Sequence, residues 1–300
     1  MKTILRTFVG CTAILFGTAC MGAVKYVPEN MKVELSLKVP GNNAVNYKLH
    51  PDKLENSYFD YEWRSDNKLP ITVFHKVEER DSCMRLTVQL TAAQDVYFNY
   101  RQLLSTGYRH DNCQFYMPGF WYRRNLRSPK KAPSFHTSDS WLVREDRLSA
   151  PLTGIFSEKE KRFMTVNRLD DFSMDALATH KEGEIILSGK TSLGFTGFEN
   201  QQGIAMLSFG FPYREAPKSY IRKLTLAPEV EAFQLMKKGE SVLLTWEIME
   251  SGADDFSDFI QHTWEHCYDT YAPKPVENSY SIADMKQVLS CCLLYTSPSP

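Results

Sequence analysis

The stretch "MKVELSLKV", residues 31–39, sets the reading of the fold. Val33, Leu35, Leu37 and Val39 alternate with Lys32, Glu34, Ser36 and Lys38. Successive side chains of a strand point to opposite faces, so this is a strand with one apolar and one polar side. "ITVFHKV" (71–77) and "MRLTVQL" (84–90) repeat the rule. They place Ile71, Val73, His75 and Val77, then Met84, Leu86, Val88 and Leu90, on one side, and "DVYFNY" (95–100) continues the series. "LTGIF-SEKEK-RFMTVNRL" (152–169) reads as a hairpin around a charged turn. "EAFQLM-KKGE-SVLLTWEIM" (231–249) reads as another, turned by Gly239. "EIILSG", "IAMLSFGF" and "RKLTLA" are further strands. About a dozen or more short strands with no helix among them predict a mainly β fold, a large antiparallel β-sandwich over residues 24–250.

After Met249 the period changes. Phe256, Phe259, Ile260, Thr263, Trp264, Cys267, Tyr268 and Tyr271 recur at helical spacing. Ser251 with Asp254 reads as a capping box, and Pro273 and Pro275 end the element. A second helix is expected in "SIADMKQVL", with Ser281 and Asp284 as its box and Ile282, Met285, Val288 and Leu289 as its stripe. Residues 251–291 are therefore read as the start of an α-helical domain.

Both ends look different from this body. Lys2 and Arg6 precede "TFVGCTAILFGTACMGA", an apolar run of about fifteen residues that is too short to span a bilayer. Residues 1–23 are read as an export signal. The product is periplasmic, cell-surface or extracellular, either cleaved and soluble or held by an outer-surface lipid anchor. At the other end, "CLLYTSPSP" (292–300) has no periodicity and interrupts the second helix. It matches the translated end of a widely used transposon-based sequencing adapter. The expectation is a fragment whose native sequence stops near Cys291 and whose helical domain is cut short.

The 300 residues carry a formal net charge of −1, which argues against a nucleic-acid partner. Cys83, Cys113, Cys267, Cys291 and Cys292 remain after the signal, without a C-x-x-C pair, so no zinc framework is present. Cys83 and Cys113 are either a disulfide or isolated core thiols. No cofactor is expected. "SGKTS" (188–192) lacks the earlier glycine of a phosphate loop, since Glu184 stands there.

The densest stretch runs from Cys113 to Pro151, "CQFYMPGFWYRRNLRSPKKAPSFHTSDSWLVREDRLSAP". Its aromatic residues offer flat apolar faces that stack on sugar rings, and arginine forks bind carboxylates through paired hydrogen bonds. Trp121, Tyr122, Arg123, Arg124, Trp141, Arg144, Asp146 and Arg147 are the substrate-binding candidates for an acidic polysaccharide. The competing reading puts the rings in the core and pairs the arginines with nearby acids. Strand alternation places Arg144 with Asp146 on one face and Glu145 with Arg147 on the other. "HTWEH" (262–266) satisfies the H-x-x-E-H pattern, so His262 and His266 are weak metal candidates. They lie on the polar side of the helix, opposite Phe256 and Ile260.

An export signal, a long β-sandwich and then capped amphipathic helices, together with "YMPGFWYRRN" and "WLVREDRLSAP", resemble the start of secreted bacterial polysaccharide-degrading enzymes. In these a β-super-sandwich precedes an (α/α) toroid, and both glycoside hydrolases and polysaccharide lyases share the order. The resemblance implies a poly- or oligosaccharide ligand, sandwich loops forming one wall of a cleft, and catalytic residues in the toroid beyond Cys291. The alternatives are a non-catalytic glycan-binding or cell-surface protein, and a metallopeptidase working through His262 and His266.

Overall fold

A computed structural model describes residues 27–80, 83–124, 140–170, 182–217, 219–221, 225–227, 229–274, 281 and 283–287. The expected signal segment, the lipid-anchor site, residues 125–139 of the aromatic-rich stretch, most of the second helical stripe and the tail lie outside them. The chain divides into two compact units, Met1–Gln261 and His262–Pro300.

The first unit is mainly β, as the alternation predicts. Its described strands are β1 (Met31–Lys38), β2 (Val45–Lys53), β3 (Tyr61–Arg64), β4 (Ile71–Glu79), β5 (Cys83–Ala92), β6 (Val96–Arg109) and β7 (Cys113–Met117). There follow β8 (Trp121–Arg123), β9 (Trp141–Arg144), β10 (Leu152–Ser157), β11 (Arg162–Arg168), β12 (Gly183–Ile186), β13 (Phe195–Gln201) and β14 (Ile204–Phe211). Last come β15 (Arg214–Glu215), β16 (Ser219–Ile221), β17 (Thr225–Ala227), β18 (Val230–Met236) and β19 (Ser241–Gly252).

Antiparallel pairing orders a first sheet as β2–β1–β6–β14–β13–β9. A second sheet runs β2–β3–β4–β5–β19–β11–β10–β7–β8. Strand β2 serves both: its residues Val45–Leu49 pair with β1, and His50–Lys53 pair with β3. The inner faces share one apolar cluster, which takes Val33, Leu35, Tyr100 and Phe209 from the first sheet and Leu86, Val88, Ile155 and Trp246 from the second. Trp246 bridges the layers, with its ring 6.4 Å from Tyr100 and 5.2 Å from Phe209.

The hairpin at 152–169 forms as expected, β10 against β11. The one at 231–249 does not. A turn closes there, with Glu240 N donating to Lys237 O and Gly239 at φ +82°, but its arms part. Strand β18 joins β6 in the first sheet, while β19 runs between β5 and β11 in the second. Both arms are apolar on alternate positions, and either sheet buries such a face equally well.

The outer face of the second sheet is capped by the start of helix α1 (Phe256–Tyr271). Phe259 lies over Gly154, with its ring stacked 5.9 Å from Phe156 and tilted against Phe163 at 4.9 Å. The helix cap sits four residues later than the sequence pattern suggests. Asp255 Oδ1 accepts from Ser257 N at 2.7 Å and Asp258 N at 3.0 Å, while Ser251 is still paired in β19. These backbone donors hold the Asp255 carboxyl below its ordinary range. Within the second unit the helix ends at Tyr271, and Trp264, Tyr268 and Tyr271 are exposed. The second capping box forms as expected: Asp284 N donates to Ser281 Oγ at 3.1 Å, and Ser281 N returns to Asp284 Oδ2 at 2.8 Å. Cys83 and Cys113 are separate buried thiols, which settles the disulfide alternative against pairing.

Candidate functional site

Alternation along β7, β8 and β9 decides which of the candidate side chains reach the surface. Trp121 and Trp141 point inward, 1% and 4% exposed. Their rings are 4.9 Å apart, and Phe198 lies 5.5 Å from Trp121 and stacks 3.9 Å from Phe115. The expectation that these two tryptophans stack on a sugar is corrected: their faces are taken up by each other and by the core. Tyr122 is exposed, and Gly119 N donates to its hydroxyl at 3.2 Å. Arg123 adopts φ +57° and lays its guanidinium over the Phe256 ring at 5.1 Å. Arg124 donates to the backbone oxygens of His110 and Asp111.

The segment after β9 is a single 3₁₀ turn, Glu145–Arg147, rather than continued strand. The two-face expectation therefore holds in part. Arg144 donates through Nε to Asp146 Oδ1 at 2.6 Å and through Nη2 to Oδ2 at 3.0 Å, so the two residues expected on one face form a two-pronged ion pair. Glu145 and Arg147 separate. Glu145 is buried and accepts from Arg168 Nη1 at 2.6 Å and from Gly194 N at 2.7 Å. Burial pushes its carboxyl above the ordinary range, while Arg168 opposes the shift. Arg147 turns to Glu215, with Nη2 donating to Oε2 at 3.0 Å. Burial likewise raises Glu215, against the pull of Arg147 and Arg144.

Sequence reasoning missed the residues that complete this patch. Arg214 donates to Glu231 Oε1 at 2.6 Å, Asn99 Oδ1 at 2.7 Å and Ser36 Oγ at 2.9 Å. Arg101 pairs with Glu34 at 3.0 Å and with Glu199. These side chains occupy the polar alternate positions of β1, β6, β13, β15 and β18. Alternation marks each of them as outward but gives no hint that five strands bring them together. Leu142, Arg214, Glu215, Ala216, Glu184 and Glu231 line a shallow cleft of about 280 Å³. That is just below the ~300–1,000 Å³ of typical enclosed ligand sites, so the feature is a surface groove.

In the second unit, His266 Nε2 lies 3.5 Å from Thr270 Oγ1. Among the described residues, His262 belongs to no group of three converging metal-ligating side chains.

No protein family matches the chain, and no curated protein does. Several solved structures share similarity at low identity. A polysaccharide lyase is 14% identical with a TM-score of 0.36, over 78% of this chain and 27% of its own. An α-galactosidase from Geobacillus stearothermophilus, solved with raffinose, is 11% identical with a TM-score of 0.33, over 75% of this chain and 30% of its own. A galactose mutarotase-related enzyme from Lactobacillus acidophilus is 10% identical with a TM-score of 0.36, over 73% of this chain and 79% of its own. The chain thus spans about a quarter of the lyase and about a third of the galactosidase.

Proposed function

We propose that the chain is the sandwich part of an exported carbohydrate-active enzyme, and that its Arg144–Arg147 patch holds a poly- or oligosaccharide, including uronic-acid units. The observation that carries the reading is the set of largely buried guanidinium–carboxylate pairs, Arg144–Asp146, Arg147–Glu215 and Arg214–Glu231, of which Glu215, Arg214 and Glu231 line one groove. A guanidinium has five N–H donors, and Arg144 uses two of them on Asp146. Such pairs present fixed donors and acceptors together, which suits sugar hydroxyls, while the positive partners suit a uronate carboxylate. Tyr122, Arg123 and Arg124 are proposed to extend the contact. Glycosidic cleavage, by hydrolysis or β-elimination, belongs in this reading to catalytic residues outside the sandwich.

The test is binding of a panel of neutral and uronic-acid oligosaccharides to the full chain by calorimetry. Arg144→Ala and Arg147→Ala each remove a charge-assisted contact worth about 1.5–3 kcal/mol, or roughly ten- to a hundred-fold in affinity. Unchanged affinity in both variants overturns the reading. Reducing-end and unsaturated-uronate assays on a longer clone separate hydrolase from lyase.

A further inference from the structure

We propose that the cleft where β2 passes from one sheet to the other is a second saccharide subsite, taking a single pyranose ring. The proposal rests on the carbohydrate reading above but not on the Arg144 patch. Because β2 changes sheets between Leu49 and His50, the two sheets open there and leave a cleft of about 420 Å³, within the ordinary size range of small-molecule sites. Its floor is apolar, formed by Met31, Leu49 and Trp63. Its rim is polar, with Lys48 and His50 on one side and Glu29 on the other, all three exposed. Lys32, hydrogen-bonded to Gln201, closes a further side.

This combination matches a pyranose, whose ring C–H groups form an apolar face and whose hydroxyls both donate and accept. Trp63 supplies the second observation. It is 3% exposed, and its indole Nε1 is buried with no acceptor among the described residues. A buried donor without an acceptor is unfavourable, and indole N–H groups in native interiors nearly always find one. A hydroxyl oxygen entering the cleft is the kind of group that accepts from the Trp63 indole. The cleft shares no lining residue with the Arg214–Glu231 groove, and neither Arg144 nor Arg147 lines it. The two sites are therefore separable by mutation.

The experiment follows the tryptophan indole resonances of the ¹⁵N-labelled full chain during titration with methyl glucopyranoside and, separately, sodium glucuronate. Trp63→Phe assigns its own signal. The Trp63 indole is expected to shift saturably with at least one of the two probes. Lys48→Ala and Glu29→Ala, both at exposed positions that leave the core intact, are expected to weaken that binding about five-fold or more. Arg144→Ala is expected to leave it unchanged. The proposal is overturned if neither probe moves the Trp63 resonance, if both rim variants bind as the parent does, or if Arg144→Ala abolishes the shift. Loss of oligosaccharide binding in Arg144→Ala with a stationary Trp63 signal sinks this subsite and leaves the patch reading standing. The opposite result sinks the patch alone.

Discussion

His75 occupies an inward position of β4, fully buried, with Nε2 2.8 Å from the Tyr100 hydroxyl across the sandwich. Burial lowers its pKa from 6.5 to about 3. The folded state therefore holds the ring neutral while the unfolded chain protonates below 6.5. Stability is fully present above that value and falls as pH drops toward 3, by about 1.4 kcal/mol per unit. Unfolding free energies from urea melts are expected to stay level from pH 7.5 to about 6.5 and to follow this slope from there to pH 5, and His75→Gln to flatten it. A variant as steep as the parent would rule His75 out as the source. At Glu145 the sign of a mutation is set by what stays behind. Arg168→Met leaves a buried carboxylate without its partner and is expected to cost about 3–5 kcal/mol in denaturant unfolding. Alternation put His75 inside and Arg144 beside Asp146. It could not foresee Arg168 as the partner of Glu145, because that contact spans β11 and the turn after β9, 23 residues apart.

At the scale of elements, the junction between β10 and helix α1 turns on a missing side chain. A Cβ on Gly154 would meet Phe259 Cζ at 2.6 Å. Gly154→Ala is expected to destabilise by about 1–3 kcal/mol through forced displacement of the ring. Phe259→Ala alone is expected to cost about 3–5 kcal/mol. The double variant should cost less than the sum, since removing the ring also removes the clash, and strict additivity would disprove the contact. The helix itself was legible from its apolar spacing. Its first turn was not, because capping depends on which side chain reaches the free N–H groups. Asp255 does so, whereas Ser251 is engaged in a strand. The arms on either side of Gly239 carry the same lesson: a turn signal states that the chain reverses, not that its arms pair.

Over the whole molecule, one apolar cluster joins the inner faces of both sheets, so the sandwich is expected to unfold cooperatively rather than sheet by sheet. Trp246→Ala, which empties a site touching both layers, is expected to cost about 3–5 kcal/mol and to shift near-UV and far-UV transitions together. Separate transitions would show that the sheets are independent. The mainly β class, the inward residues of β1, β4 and β5, the first hairpin and the second helix cap were all determined by the sequence itself. Each follows from side-chain period or from contacts within a few residues, which any chain with this order of residues must satisfy. The tertiary structure alone decided that Trp121 and Trp141 are core, that Arg147 turns to Glu215 and that β18 and β19 part. It alone assembled Arg214, Glu215 and Glu231 around one groove and opened a cleft at the bend of β2. Those outcomes depend on which of two equally apolar or equally polar partners lies across a gap. Spacing along the chain is silent on that choice, and sheet order settles it.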